Sequence, residues 1–496
     1  MEKRLKLLCS IILAAAIAAG FVTIPGCRGG NDGGGHVFRY DLAVNPRTLD
    51  PQTAVDSNAR LVIANIFDGL LRMEPSGFIV PGVAHTYIVS DDYMTYTFLL
   101  REDVFWMDGH GFYAQCTAHD FVFAFRRLFN PEVRSHHAED YFAILNAQAV
   151  NNGEFPLGSI GVYAEDDFTL IIQLERPEPN LPALLTMPPA FPCNEEFYLQ
   201  TAGRYGLITA ESPVASNGGF FLREWVYDPW WTYENRIVLR RNEKNSESES
   251  VHPLGVNFRL SRGDPFDNFT AGETDGIIVS GNRVDDLIRR GFPYITAENT
   301  VWGLSFNTSG IFANDNLRQA LTAAVDRDAI DFDVTGFRAA ATVIPGDIVS
   351  GEAQADRFES NYTVEITQNP VLIVPENDII VGFVAAIAQQ WQMQLSLFCR
   401  IEVLPYTEYI TRLADGDYDI AAVRITANFN CPTSIYRQLL PDSADISLDS
   451  GVTISTSFEF IPFSFESQHF FSSTRSEGLA YNPFMSAVFF RNGKVL

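Results

Sequence analysis

The chain has 496 residues, 46% of them apolar and 19% charged, with a formal net charge of −26. That hydrophobicity excludes an intrinsically disordered chain, and so acidic a surface, with no basic block to offset it, disfavours binding to nucleic-acid phosphates. One long apolar run, at the very start, excludes a polytopic membrane protein, and the length is enough for about three structural units. In chain order, Lys3, Arg4 and Lys6 precede an apolar stretch from Leu7 to Ile24, which ends in Ile24-Pro25-Gly26-Cys27. This is the layout of an export signal; the alternative is an uncleaved anchor, because the run is near the minimum that spans a bilayer. Arg28 to Gly35 is Gly-rich and reads as a flexible tether. Tyr96, Phe98 and Leu100 alternate in a strand over Thr95–Leu100, and Phe168, Leu170, Ile172 and Leu174 alternate after the turn Glu165-Asp166-Asp167. Thr117 with Asp120 has capping-box spacing. Behind it Phe121, Val122, Phe125, Leu128 and Phe129 form one apolar stripe, stopped by Pro131. Asn245 to Ser250 reads as a solvated loop. Leu317, Ala320, Leu321 and Ala324 predict a helix starting near Asn314. Val371–Val374 (strand), Asp378 to Leu395 (helix), Arg400–Leu404 (strand) and Tyr418–Val423 (strand) predict a βαβ unit with parallel pairing in a mixed α/β chain.

The sequence contains none of the common nucleophile-elbow, zinc-protease, P-loop or dinucleotide motifs. His136-His137-Ala138-Glu139-Asp140 is the densest ligand-type cluster. Adjacent side chains share no face of a helix or strand, so an exposed polar loop is the simpler reading than a metal shell. The pairs Asp91-Asp92 and Asp285-Asp286 read as solvated charge. Carboxylates distant in sequence can meet in space, so an exported hydrolase stays open as an alternative. Cys9 falls in the export segment; Cys116, Cys193, Cys399 and Cys431 have no metal spacing and form either disulfides, in one of three pairings, or buried free thiols. The aromatic content of 13% is mostly core, with Trp230-Trp231 and Trp302 as candidates to line a pocket.

The start of the chain resembles a bacterial lipoprotein signal, with Ile24 and Gly26 in the lipobox and Cys27 as the lipidated residue. The rest resembles the extracytoplasmic solute-binding proteins of ABC importers, in their oligopeptide- and dipeptide-binding branch. Leu49-Asp50-Pro51, Asn65-Ile66-Phe67-Asp68-Gly69-Leu70-Leu71, Pro81-Gly82-Val83-Ala84, Ser90-Asp91-Asp92, Trp106-Met107-Asp108-Gly109 and Thr117-Ala118-His119-Asp120 carry the likeness. Asn217-Gly218-Gly219-Phe220, Asn307, Leu317-Arg318-Gln319-Ala320-Leu321 and Gly416-Asp417-Tyr418-Asp419 continue it in the family's order.

The resemblance implies a type II periplasmic-binding-protein fold: two α/β lobes joined by a hinge, with an inserted extra domain. It divides the chain into a signal (1–26), a tether (27–36), lobe 1 (37–68, 185–275 and 455–496), an inserted domain (69–184) and lobe 2 (276–454). It implies a monomeric, lipid-anchored receptor outside the cytoplasm, delivering a peptide-class ligand to a permease and ATPase, with no cofactor, no metal and no catalysis. The same fold used as a signalling peptide receptor is the alternative. The ligand backbone is expected to add as a strand to two short edges, at Ser57, Asn58 and Ala59 and at Ile425, Thr426, Ala427 and Asn428. In many oligopeptide binders an Asp stands where this chain has Asn428, before Phe429-Asn430-Cys431-Pro432-Thr433-Ser434, and pairs with the ligand's amino terminus. An amide cannot neutralise that ammonium, so the terminus clamp does not transfer. Arg424 beside the edge is a candidate to meet a carboxylate, or else a surface charge.

Overall fold

Alternating apolar residues and local capping set out the elements that position the site. In the computed structural model, residues 35–74, 77–178, 180–209, 213–232, 234–245, 247–345, 369–427, 432–439 and 457–496 are described. In chain order the main elements are β1 (Val37–Leu42), α1 (Ser57–Ile66), β2 (Ala84–Val89), β3 (Thr95–Leu100), α2 (Ala118–Phe129), β4 (Val162–Asp166) and β5 (Thr169–Gln173). They continue with β6 (Phe220–Val226), β7 (Arg236–Arg241), β8 (Gly255–Leu260), β9 (Gly276–Val279), β10 (Tyr294–Phe306), α3 (Asp315–Ala323), β11 (Phe337–Ala339) and β12 (Val371–Pro375). The last are α4 (Asp378–Leu395), β13 (Arg400–Leu404), α5 (Tyr406–Asp415), β14 (Ile420–Thr426), α6 (Thr433–Leu439) and β15 (Phe460–Ser472).

Three principal sheets result. The first has the order β1-β8-β7-β6, with β1 parallel to β8. The second is antiparallel, β2-β3-β5-β4, and α2 packs on it with the expected stripe buried. Asp120 opens that helix: its carboxylate accepts the Thr117 N–H at 2.8 Å, Trp106 Nε1 at 3.1 Å and Asn194 Nδ2 at 3.0 Å. Burial nevertheless pushes its carboxyl up to about 6. The third sheet has seven strands, β9-β15-β10-β14-β12-β13 with β11 also on β15. Its β12–α4–β13 crossover is the predicted parallel unit, and β14 pairs parallel with β12 as well.

Among the described residues, four apolar clusters involve the third sheet, two of them large. Leu304, Phe306, Ile420 and Ala422 project to one face and pack with Leu317, Leu321, Ile380, Phe383 and Trp391 of α3 and α4. On the other face Val301, Ile425, Ala427 and Phe465 belong to the large cluster that also holds the residues of the first two sheets. The two 13-residue strands β10 and β15 therefore connect both cores. Their pairing slips twice, at Glu298/Thr300 and at Trp302/Gly303, which gives one bulge on each strand in the stretch between the cores.

Beneath the first two sheets, Asp50 of the Leu49-Asp50-Pro51 block lies buried against Arg127, whose Nη2 donates to Asp50 Oδ2 at 2.5 Å and whose Nη1 donates to Gln52 Oε1 at 2.6 Å. Tyr198 and Tyr205 cover the guanidinium at 4.4 and 5.1 Å. Cys116, Cys193 and Cys399 are buried free thiols, and Cys431 lies outside the described residues.

The run from Asn245 to Ser250 is not merely a solvated loop. Asn245 is buried, and Glu247 receives Arg72 Nη1 at 2.7 Å, Arg101 Nη1 at 2.5 Å and Arg491 Nη2 at 2.7 Å. Burial alone would raise the Glu247 carboxyl, but the hydrogen bond and charge of Arg72, with Arg491 and Arg101, hold it at about 2.

Candidate functional site

β14 is paired along its whole length on one side only. Its antiparallel register with β10 runs from Ile420↔Phe306 to Thr426↔Thr300, whereas β12 meets it only at Ile420 and Ala421. From Val423 to Thr426 no strand lies on that second side among the described residues. The Ala427 N–H donates to the Asn299 carbonyl at 2.8 Å, which fixes the alternation: the main-chain groups of Ala422, Arg424 and Thr426 point away from β10. Tyr409 Oη donates to the Ala422 carbonyl at 2.7 Å and Gln438 Nε2 to the Thr426 carbonyl at 2.9 Å. Between those two caps, the N–H and C=O of Arg424 form the centre of an open strand edge. Such an edge accepts an extended backbone as an added strand.

The face that carries Ile420 and Ala422 turns polar beyond the helices. Arg424 Nε donates to Glu466 Oε2 at 2.9 Å, Trp302 Nε1 donates to the same oxygen at 2.8 Å, and Thr300 and Thr426 hydroxyls lie 2.9 Å apart. Glu466 is 8% exposed, so these partners offset the cost of burying its charge.

Three of the four residues expected at this edge are described. Ile425 and Thr426 close β14 and Ala427 follows it, with the Ile425 and Ala427 side chains fully committed to the core. Asn428 lies outside the described residues, as does Cys27. The other expected edge is not a strand. Ser57, Asn58 and Ala59 form the first turn of α1, capped by Asp56 Oδ1 accepting the Ala59 N–H at 2.7 Å. An aspartate one residue before an apolar helical period is an N-cap signal, and helical backbone cannot accept a ladder partner. Ala59 is wholly buried, in the same cluster as Ile425 and Ala427.

The chain beyond β14 is fastened to distant residues. Arg437 on α6 donates through Nη2 to Glu178 Oε2 and through Nη1 to the Asp140 carbonyl, both at 3.0 Å, and Asn180 Nδ2 donates to Thr433 Oγ1 at 3.2 Å. Asp140 thus has an arginine for a neighbour, while His137 Nε2 lies 2.9 Å from the Ala54 carbonyl and His136 is exposed. Burial lowers the His137 pKa, against the opposing pull of the Ala54 carbonyl and Asp140. No group of three or more His, Cys, Asp or Glu that could hold a metal occurs among the described residues. Trp230 is exposed, Trp231 lies under Arg262 at 4.8 Å, and of the three candidate tryptophans only Trp302 borders the open edge. Sequence reading missed Glu466 and Trp302 as partners, since 164 residues separate them. A cavity of about 240 Å³ lies apart from this edge, beside Arg72, Glu247 and Arg491.

Comparison with known proteins adds a family to this geometry. Residues 79–445 match the family model described as bacterial extracellular solute-binding proteins, family 5, middle. The chain is 26% identical over 442 residues to the probable deoxycholate-binding periplasmic protein YgiS of Escherichia coli, covering 82% of this chain and 79% of that one. It is 25% identical over 432 residues to the periplasmic oligopeptide-binding protein OppA of Salmonella typhimurium, covering 80% and 76%. Among solved structures, Listeria monocytogenes OppA bound to peptide superposes with a TM-score of 0.70 at 18% identity, over 93% of this chain and 99% of that chain.

Proposed function

The chain belongs to the bacterial extracellular solute-binding proteins of family 5, and from that membership we propose that it is the receptor of an ABC importer for a peptide-class solute. Its fold is the type II periplasmic-binding-protein fold. The observation that carries the reading is the open edge of β14 centred on Arg424. A ligand backbone laid there gains main-chain hydrogen bonds worth about 0.5–1.5 kcal/mol each without reading side chains. In this reading Thr426 continues that strip, Ile425 and Ala427 hold it to β10 and the core, Asn428 is proposed to meet the ligand beyond it, and Ser57, Asn58 and Ala59 enter only as the start of a helix.

In this reading lobe 2 (276–454) closes on lobe 1 (37–68, 185–275 and 455–496) about β10 and β15, with 69–184 as the inserted domain. A solute that touches both lobes stabilises the closed form, and a permease distinguishes loaded from empty receptor by shape. The chain works as a monomer, held outside the cytoplasm by lipid on Cys27 and the Gly-rich tether. It returns its solute chemically unchanged. Native mass spectrometry of the purified protein tests this. An intact peptide retained in the folded protein, and exchanged by added peptide, is the expected result. Cleaved products accumulating with time, or no peptide bound from a defined mixture, would overturn it.

A further inference from the structure

Arg424 stands at the middle of the open edge, on the polar stretch of the sheet face beside Trp302 and Glu466. Its side chain is 38% exposed and, among the described residues, makes one hydrogen bond, from Nε to Glu466 Oε2. Neither Nη donates to a described residue, and the side chain is partly exposed. It is also the only basic residue in β14 and in the stretches of β10 and β15 that pair beside it, Thr300–Phe306 and Phe460–Glu466. The whole chain carries a net charge of −26, which makes a lone cation at this edge a local exception.

Glu466 also takes the Trp302 indole N–H, so the carboxylate that grips Arg424 is itself anchored in the sheet. The guanidinium is thereby oriented before any ligand arrives, and less side-chain freedom is lost when its fork is used. On a strand added to β14, the residue opposite or diagonal to Arg424 on this face has its Cβ about 4.5–8 Å away. A carboxylate there meets two Nη groups in the bidentate geometry that arginine favours.

We propose that Arg424 is a specificity-determining residue which selects ligands that place a carboxylate beside it, supplied by an acidic side chain or by the ligand's C-terminus. This rests on the receptor reading above and names the ligand class within it.

The test uses pentapeptides of alanine with one Glu or one Gln at each position in turn, each as free acid and as C-terminal amide, titrated calorimetrically into the purified receptor. At one position Glu is expected to bind roughly ten- to a hundredfold tighter than Gln, or free acid tighter than amide by the same factor, which separates the two sources. In Arg424→Gln the ratio between Glu- and Gln-peptide affinities is expected to fall to within about threefold, whatever the absolute affinity of the variant. Arg424→Lys keeps the charge without the fork, and an intermediate preference is expected; it also covers the case in which Arg424→Gln fails to fold. Tight binding of peptides with no carboxylate preference, or a preference that survives in either variant unchanged, would overturn the assignment and leave the receptor reading standing. No binding of any peptide overturns both.

Discussion

Single residues here owe their roles to partners far away in the chain. Glu247 lies in a Ser-rich stretch whose composition signals a loop, yet Arg101, Arg72 and Arg491 reach it across 146, 175 and 244 residues. Nothing local could have indicated that. Its carboxyl sits at about 2, against an ordinary 4.5. A depressed folded-state pKa means that the stabilisation is fully present above about pH 4.5 and drains away as pH falls toward 2. The shift corresponds to at most about 3 kcal/mol. Glu247→Gln should therefore unfold at lower denaturant than wild type at pH 7, with the gap narrowing below about pH 4.5 and closing near pH 2. A gap independent of pH would mean that packing, not charge, is what the substitution removed. Asp120 works in the opposite sense: raised to about 6 by burial, it costs stability as pH rises from about 4 to 6.

Elements were legible where their causes are local. The Thr117–Asp120 cap and the apolar stripe of α2 lie within a dozen residues, and the helix runs as expected from Ala118 to Phe129. The βαβ unit was legible for the same reason. β14 was expected at Tyr418–Val423 and runs instead over Ile420–Thr426, because its length is set by pairing with β10, more than a hundred residues earlier. The Ser57–Ala59 edge failed differently: a family likeness gives a position along the chain, whereas Asp56 decides the backbone by capping a helix. Just beyond the bulge at Trp302/Gly303 packing is tight. A Cβ on Gly303 would lie 2.1 Å from Cζ of Phe460, which is itself buried. Gly303→Ala should cost about 1–3 kcal/mol in thermal or chemical unfolding. Adding Phe460→Leu should recover part of that loss, whereas strictly additive effects would rule out the ring as the obstacle.

At the scale of the whole molecule the predicted behaviour is motion and tethering. If lobe closure about β10 and β15 accompanies binding, small-angle scattering should show a smaller radius of gyration with a bound peptide than without. Identical profiles would contradict closure. Cys27→Ala should move the protein from the membrane to the soluble fraction or leave its signal uncut; unchanged partitioning and mobility would refute the lipid anchor. Across the described residues no helix is long and apolar enough to cross a membrane. The pairing of β10 with β15 carries one more implication. Thr300 and Glu466 are register partners, so the chain departs for and comes back from α3, α4 and their strands at one doorway. Among the described residues, much of what lies between is a cartridge clipped in at that seam, with a second clasp at α6, where Arg437 reaches Glu178 and the Asp140 carbonyl. Recombination between two related genes could swap that cartridge, and with it the Arg424 edge, while Trp302 and Glu466 at the rim kept the seam aligned.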